Sequence, residues 1–447
     1  MRLYQKKQCL EIIRLLEESH KKIAGYIEQR KTEEALALLQ QCQQSALCAG
    51  TLVENVRGEG TETVHDLESY CEMVYQLYIK LISGGSVSEK KILKKLQNLL
   101  KDAEHSLRHE IGTQIEAVFL PYKASMWDSL ESVWKAAQED PACTAIVIPI
   151  PYFDRNSDGS PGVMHCEAEL FPKDVPVVPY EAYDFEARHP DMIFIHNSYD
   201  DGNYATSVHP FFYSENLKQY TDELVYIPYF VQNEVNPADE KAVREMEDFC
   251  TTSGVVNADH VVVQSEAMRQ IYVNVLTKYT ADELRPHWEK KILGLGSPKF
   301  DRVRSPRPED FELPKDWNAK IQKADGGRKK IIFYNTTISA VLNEGGAMLD
   351  KIERTLCMFQ ENSADMVLLW RPHPLMETSL ASMRPELLER YRRIMEEYRK
   401  AGWGIYDGSA DLNRAIAVSD AYYGDMSSVV WLYRETGKPI MIQTVEI

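Results

Sequence analysis

Apolar and polar positions follow two different rhythms along the chain. Up to about residue 110, apolar residues recur three and four apart: Leu10, Ile13 and Leu16, then Ile23 and Ile27, then Leu36, Leu38 and Leu39. Met73, Leu77 and Leu81 continue the series, and Ile92, Leu96, Leu99 and Leu100 close it. That spacing lines one face of a helix. It breaks at Gly58-Glu59-Gly60 and at Gly84-Gly85, so about four helices packed as hairpins are expected. From about residue 112 the runs become short and nearly continuous. Glu116–Tyr122 and Thr144–Ile150 read as strands around a helix bearing Leu130, Val133 and Trp134, a βαβ unit. Met192–Ile195, Leu224–Tyr229, Val261–Val263 and Ile292–Leu295 add strands. Uninterrupted apolar runs, unlike alternating ones, suit a parallel sheet covered on both faces.

Gly294–Asp301 and the charged, Pro-rich stretch to Pro314 read as a linker, after which the alternation restarts. Strands are expected at Ile331–Tyr334, Met366–Trp370, Gly404–Tyr406, Ala421–Tyr423 and Ile440–Ile442, with helices starting near residues 346, 385, 411 and 428. The expected organisation is a helical region over 1–110, an α/β domain over 111–296 and a second over 297–447. Two doubly wound domains on one linker turn the carboxyl ends of both sheets towards a shared cleft, where such sheets bind ligands.

Composition narrows the function. The 447 residues carry 51 Lys and Arg against 68 Asp and Glu, a net charge of −17. Such acidity argues against binding along a nucleic-acid backbone, yet allows a local basic pocket. No apolar run approaches the ~20 residues that span a bilayer. Eight cysteines are scattered without a CxxC pair, as suits reduced thiols in a cytoplasmic protein better than a disulfide or zinc framework.

Two segments carry the candidate chemistry. Trp370-Arg-Pro-His-Pro374 follows a strongly apolar strand, which places Arg371 and His373 at its carboxyl end on a turn stiffened by two prolines. Both side chains can donate to phosphate oxygens, or the histidine can simply bond a neighbouring carbonyl. In Asp420–Trp431 a short strand gives way at Gly424 to a helix opened by Ser427-Ser428. Free amides, a helix dipole and two hydroxyls there form either an anion cradle or an ordinary N-cap. Asp425 beside a phosphate would be repulsive unless it orients a hydroxyl or a backbone donor. Thr336, Thr337 and Asp407 are further candidates on this domain. Tyrosines 199, 204, 213, 220, 226 and 229 crowd the middle of the chain, suiting either polyol contacts or packing under a loop.

Residues 260–443 resemble the bacterial CDP-glycerol glycerophosphotransferases, the teichoic-acid polymerase type with a GT-B fold. The resemblance rests on Arg371-Pro-His-Pro374, Asp411-Leu-Asn-Arg-Ala-Ile-Ala-Val-Ser-Asp420, Gly424-Asp-Met-Ser-Ser-Val429 and Lys438-Pro-Ile-Met441. Gly296-Ser-Pro-Lys-Phe-Asp301 is similar to the family's interdomain turn. It implies an α/β, GT-B-like chain of two Rossmann-type domains facing a cleft, preceded by an all-α region. It implies that His373 and Ser427-Ser428 hold a donor pyrophosphate. In place of the family's Trp-His-Gly turn stands Ile195-His-Asn-Ser198, making His196 the candidate base, with Asp200 or Asp201 as orienter and His209 as competitor. Asn335-Thr-Thr337 departs from the family's usual Pro-Thr-Trp-Arg. GT-B chains usually add a C-terminal helix crossing back to the first domain, and the sequence runs only a few residues past Ile442.

The function so implied is transfer of glycerol phosphate, or another polyol phosphate, from CDP-glycerol or a similar nucleotide donor to a polyol-phosphate or glycan acceptor. No metal or other cofactor is expected. The setting would be cytoplasmic, with peripheral contact at the inner face of the membrane, although basic docking features are not evident. The helical region is expected to serve as an oligomerisation or scaffold module, with substrate binding as the alternative. The alternatives are a nucleotide-sugar glycosyltransferase and a non-catalytic protein that binds a nucleotide or envelope precursor.

Overall fold

The computed structural model describes residues 1–83, 89–156, 158–409 and 411–443. Helices α1 (Leu3–Glu28), α2 (Thr32–Arg57), α3 (Glu62–Ile82) and α4 (Glu89–His109) form an up-and-down bundle in which α1 also packs against α4. The apolar stripes read from the sequence meet in its core, where Ile13, Leu39, Tyr70 and Leu96 are buried. Gly58 ends α2 with φ of 78°, a left-handed conformation that glycine tolerates. The break expected at Gly84-Gly85 lies outside the described residues. The bundle is stitched to the domain that follows. Arg2 bridges to Gln114, and the Tyr4 amide donates to Asp191 Oδ1 at 2.7 Å. Asp191 Oδ2 accepts from the Glu116 amide at 2.8 Å, so the bundle grips the amino-terminal edge of the adjoining sheet.

That sheet is wholly parallel, in the order β2-β1-β5-β7-β8-β9. Its strands are β1 (Ile115–Leu120), β2 (Cys143–Val147), β5 (Met192–Ile195), β7 (Glu223–Tyr226), β8 (His260–Val262) and β9 (Ile292–Leu293). Alternation along β1 sends Val118 and Leu120 into one core and Ala117 and Phe119 into another, so both faces are covered. In chain order the strands run 2-1-3-4-5-6, and the order reverses between β1 and β5. A small antiparallel sheet of β3 (Tyr152–Arg155), β4 (Pro161–His165) and β6 (Thr206–Val208) stands beside the carboxyl ends. It has no counterpart in the expected elements.

The second sheet is also parallel: β12 (Ile405–Tyr406), β11 (Met366–Pro372), β10 (Lys330–Thr336), β13 (Ala421–Gly424) and β14 (Ile440–Ile442). Its order is 3-2-1-4-5, the Rossmann arrangement, reversing between β10 and β13. Ile331, Phe333, Val367 and Leu369 fill one core, and Tyr334, Leu368 and Trp370 the other. The fold is thus α/β with two doubly wound domains behind an all-α region, a GT-B-like plan.

The expected linker is structured. Ser297 caps a helix over Pro298–Arg304 whose Arg302 is buried, 2.5 Å from Asp310 and 3.6 Å from Glu131. Proline at the first helical position suits a helix start, which a reading of proline as loop overlooks. Across the domains, Asp128 accepts from Lys299 Nζ at 2.5 Å and from Asn413 Nδ2 at 3.0 Å, and Trp431 Nε1 donates to Asn233 Oδ1 at 2.7 Å. Among the described residues no helix is long and apolar enough to cross a membrane.

Candidate functional site

Strand register brings the second-domain candidates to one edge. Asn335 of β10 lies opposite Arg371 on one side and Gly424 on the other, so the turns after β10, β11 and β13 emerge together at the point where strand order reverses. Glycine is required at 424 because a Cβ there would overlap the Asn335 carbonyl oxygen.

His373 is exposed, and its Nδ1 accepts from the Leu375 amide at 3.2 Å. The neutral ring therefore carries its proton on Nε2, which makes no hydrogen bond among the described residues. Partial desolvation of the ring foremost, with the Arg371 charge second, lowers its pKa and favours the neutral form. His373 thus offers an N–H donor. Across β10, Ser427 stands at the N-cap of the helix Ser428–Arg434 without capping it. Its hydroxyl instead accepts from Asn335 Nδ2 at 3.2 Å. Ser428 is exposed; the Val430 amide donates to the Ser427 carbonyl at 3.0 Å, while the Ser428 and Val429 amides have no partner among the described residues.

Asp425 faces inward. Its Oδ2 accepts from the Thr337 amide at 2.8 Å and the Thr337 hydroxyl at 3.2 Å, while Oδ1 pairs with the buried Lys351 at 3.1 Å. It braces the turn after β10 and is neutralised by Lys351, which is the orienting role towards a hydroxyl and a backbone donor that the sequence left open, not that of a direct phosphate ligand. Arg371 does not face the edge either. It is buried, 3.4 Å from Asp407, and donates to the Ser409 carbonyl at 2.8 Å, so it holds the loop after β12. Burial lowers its pKa, opposed chiefly by Asp407. Asp407 accepts from the Ser409 amide and hydroxyl and is buried, which makes it part of the same brace. Thr336 points into the core, accepting from Trp370 Nε1 at 3.2 Å. Thr337 caps the helix Ile338–Glu344.

The first-domain candidates fare differently. His196 follows β5 at the reversal point of the first sheet but has no exposed surface. Its Nε2 accepts from the Tyr122 amide at 2.9 Å, which puts the ring proton on Nδ1, 2.9 Å from Ser129 Oγ. The Ser129 hydroxyl in turn donates a hydrogen bond to the Met126 carbonyl at 2.7 Å. Burial foremost, with the Lys299 charge second, lowers the pKa of His196 to about 3. Both ring nitrogens are occupied, so the expectation of an open base is corrected: His196 ties the turn after β1 to β5. Asp200 serves Ser214, accepting from its hydroxyl at 2.7 Å, and Asp201 is exposed, so neither orients His196. His209 caps the turn Pro210–Phe212 through Nδ1 and lies beside the ring of Phe153. Of the crowded tyrosines, Tyr226 is wholly buried and Tyr204 is almost fully exposed.

Three residues missed in the sequence belong to this description. His165 is paired with Asp154 at 2.6 Å and stacks on Tyr152 beside the carboxyl ends of the first sheet. Arg414 donates to Ser409 Oγ at 3.2 Å next to Arg371. Asp128 joins the domains as described. For Arg414 the signal was present in Asp411-Leu-Asn-Arg; for the other two it was not. A cavity of about 870 Å³ opens between the domains, lined by Gln264, Ser265 and Gly296 at the carboxyl ends of the first sheet and by Trp431 and Arg434 of the second domain. Among the described residues no cluster of His, Cys, Asp and Glu is arranged to hold a metal ion.

No family model matches the sequence, and no curated protein matches it. Solved structures similar to the chain include a UDP co-structure of MnaA from S. aureus, 11% identical over 74% of this chain and 79% of that one, with a TM-score of 0.43. UDP-GlcNAc 2-epimerase from Methanocaldococcus jannaschii, in complex with UDP-GlcNAc and UDP, is 10% identical over 73% and 83%, with a TM-score of 0.41. The wall teichoic acid polymerase TagF is 15% identical over 84% of this chain and 78% of that one, with a TM-score of 0.37.

Proposed function

We propose that the protein is a transferase that moves glycerol phosphate, or another polyol phosphate, from a CDP-linked donor to an acceptor hydroxyl of a polyol phosphate or glycan. The observation that carries the reading is an uncapped helix start at Ser427-Ser428, one strand away from the Nε2–H donor of His373, at the reversal point of a Rossmann sheet. Neutral donors on rigid backbone suit a pyrophosphate because they take up charge without reorganising. Asp425, Lys351, Arg371 and Asp407 hold the turns that aim those donors. As the acceptor oxygen attacks the β-phosphorus, the bond to CMP breaks, and the charge on the leaving phosphate meets His373 and the helix start. No metal ion is invoked in that step.

The proton of the acceptor hydroxyl needs a base, and His196 has no nitrogen to offer. We assign the role to His165, which Asp154 orients through Nε2, leaving Nδ1 to take the proton. The second reading is a non-catalytic nucleotide-binding protein, favoured by the sealed position of His196. Radiolabelled CDP-glycerol incubated with a panel of polyol and glycan acceptors separates the two. Transfer by the wild type that is lost in His165→Ala, with the thermal unfolding of the variant unchanged, supports the first; tight donor binding without transfer to any acceptor supports the second.

A further inference from the structure

A second cavity, of about 370 Å³, lies in the first domain between the segment leading into β5 and the segment leading into β7. Its volume is within the range of roughly 300–1,000 Å³ usual for small-molecule sites. Half-buried Tyr180, Phe211 and Tyr220 contribute to its walls, and buried Phe185 and Phe212 to its floor. The rings are not in one plane. Phe211 and Tyr220 stack at 5.5 Å, whereas Tyr180 meets Phe212 edge-on at 6.0 Å, so the hollow presents rings at several inclinations.

Asp184 and Glu186 are the acidic residues of its lining, His209 is the basic one, and no Lys or Arg lines it. Asp184 caps the short helix Phe185–Arg188, accepting from the Ala187 amide at 2.9 Å. Glu186 is exposed and makes no ion pair among the described residues. Tyr183, also in the lining, already holds a cation, the Arg188 guanidinium 5.1 Å from its ring centre, and Arg188 is itself neutralised by Glu116. Aromatic faces attract cations through their quadrupole, most strongly where water is excluded.

We propose that this cavity binds a small quaternary ammonium ion of the choline type. The apolar methyl groups would pack on the rings while the two carboxylates balance the charge. A phosphate-bearing headgroup suits it less, because its anion would face Asp184 and Glu186. The proposal is independent of the transferase reading, since none of the donor-site residues lines this cavity.

Calorimetric titration of the full chain with choline, phosphocholine and 3,3-dimethylbutan-1-ol tests it. The alcohol replaces the ammonium nitrogen of choline by carbon, removing the charge at nearly constant shape. Choline is expected to bind roughly 3- to 30-fold more tightly than the alcohol, the range expected of cation–π attraction. Phosphocholine should bind more weakly than choline. Tyr220→Leu keeps apolar bulk but removes a ring, and Glu186→Gln changes an exposed side chain without touching the fold; both should weaken choline and leave the alcohol nearly unchanged. Equal affinity for choline and the alcohol, tighter binding of phosphocholine, or no saturable binding of choline would each overturn the proposal.

Discussion

Replacing His196 by alanine distinguishes a structural histidine from a base. The change removes the acceptor of the Tyr122 amide and the donor to Ser129, and empties a fully buried ring site. An amide left without a partner costs about 1–3 kcal/mol, and with the cavity the loss should reach about 3–5 kcal/mol at neutral pH. Acid gives the sharper signature. The pKa is about 3 in the folded chain against an ordinary value of about 6.5, so the unfolded chain binds the proton first. The stability that the neutral ring contributes is complete above about pH 6.5 and falls by about 1.4 kcal/mol per unit below it, down to about pH 3. By pH 5 the wild type should therefore have lost about 2 kcal/mol that the alanine variant never had. Buried His20, lowered by burial to about 4, adds a similar slope to both proteins and cancels in the comparison. Urea unfolding followed by tryptophan fluorescence at about pH 7.5 and pH 5 should show the gap between the two proteins narrowing in acid. An unchanged midpoint, together with a 10²–10⁴-fold loss of turnover, would refute this reasoning and restore His196 as an open base.

At the proposed donor edge, His373→Ala and the pair Ser427→Ala/Ser428→Ala should each weaken nucleotide binding by about 1–3 kcal/mol with unaltered thermal unfolding. A loss of stability instead would mark these residues as packing and capping groups. Lys351→Met strands the buried Asp425 carboxylate and should cost about 3–5 kcal/mol, read as a fall in denaturant midpoint; a variant as stable as wild type would show that Asp425 is not held by that pair. Gly424→Ala drives a methyl group into the Asn335 carbonyl and should cost about 1–3 kcal/mol, whereas an unchanged melting temperature would contradict the tight approach of β10 and β13.

Much of the fold was legible because local pattern and tertiary role agree. Met192–Ile195 is apolar throughout and forms a strand with those bounds, and the three-and-four spacing of the first 110 residues gives the bundle. Ser297-Pro298 reads as a linker because proline both breaks helix interiors and starts helices, and the buried Arg302 contacts show which applies. β3 and β4 escaped notice because their residues alternate weakly and several stay exposed. The site was legible in part. Arg371-Pro-His-Pro374 and Gly424–Ser428 do meet at one sheet edge, as strand-end positions must once the order is known. Which of them face outward was not legible. Arg371 and Asp425 are claimed by Asp407 and Lys351, and no spacing rule announces such long-range ion pairs. His196 is sealed by partners 74 and 67 residues away in the chain.

The central claim is that the edge formed by His373, Ser427 and Ser428 receives the pyrophosphate of a CDP-linked donor. Calorimetric titration of CDP-glycerol and of a UDP-sugar into the wild type and the His373→Ala variant tests it most directly. The account predicts tighter binding of CDP-glycerol than of the UDP-sugar, and a roughly 5- to 100-fold loss of that binding in the variant. Preference for the UDP-sugar, or CDP-glycerol affinity indifferent to His373, would contradict it.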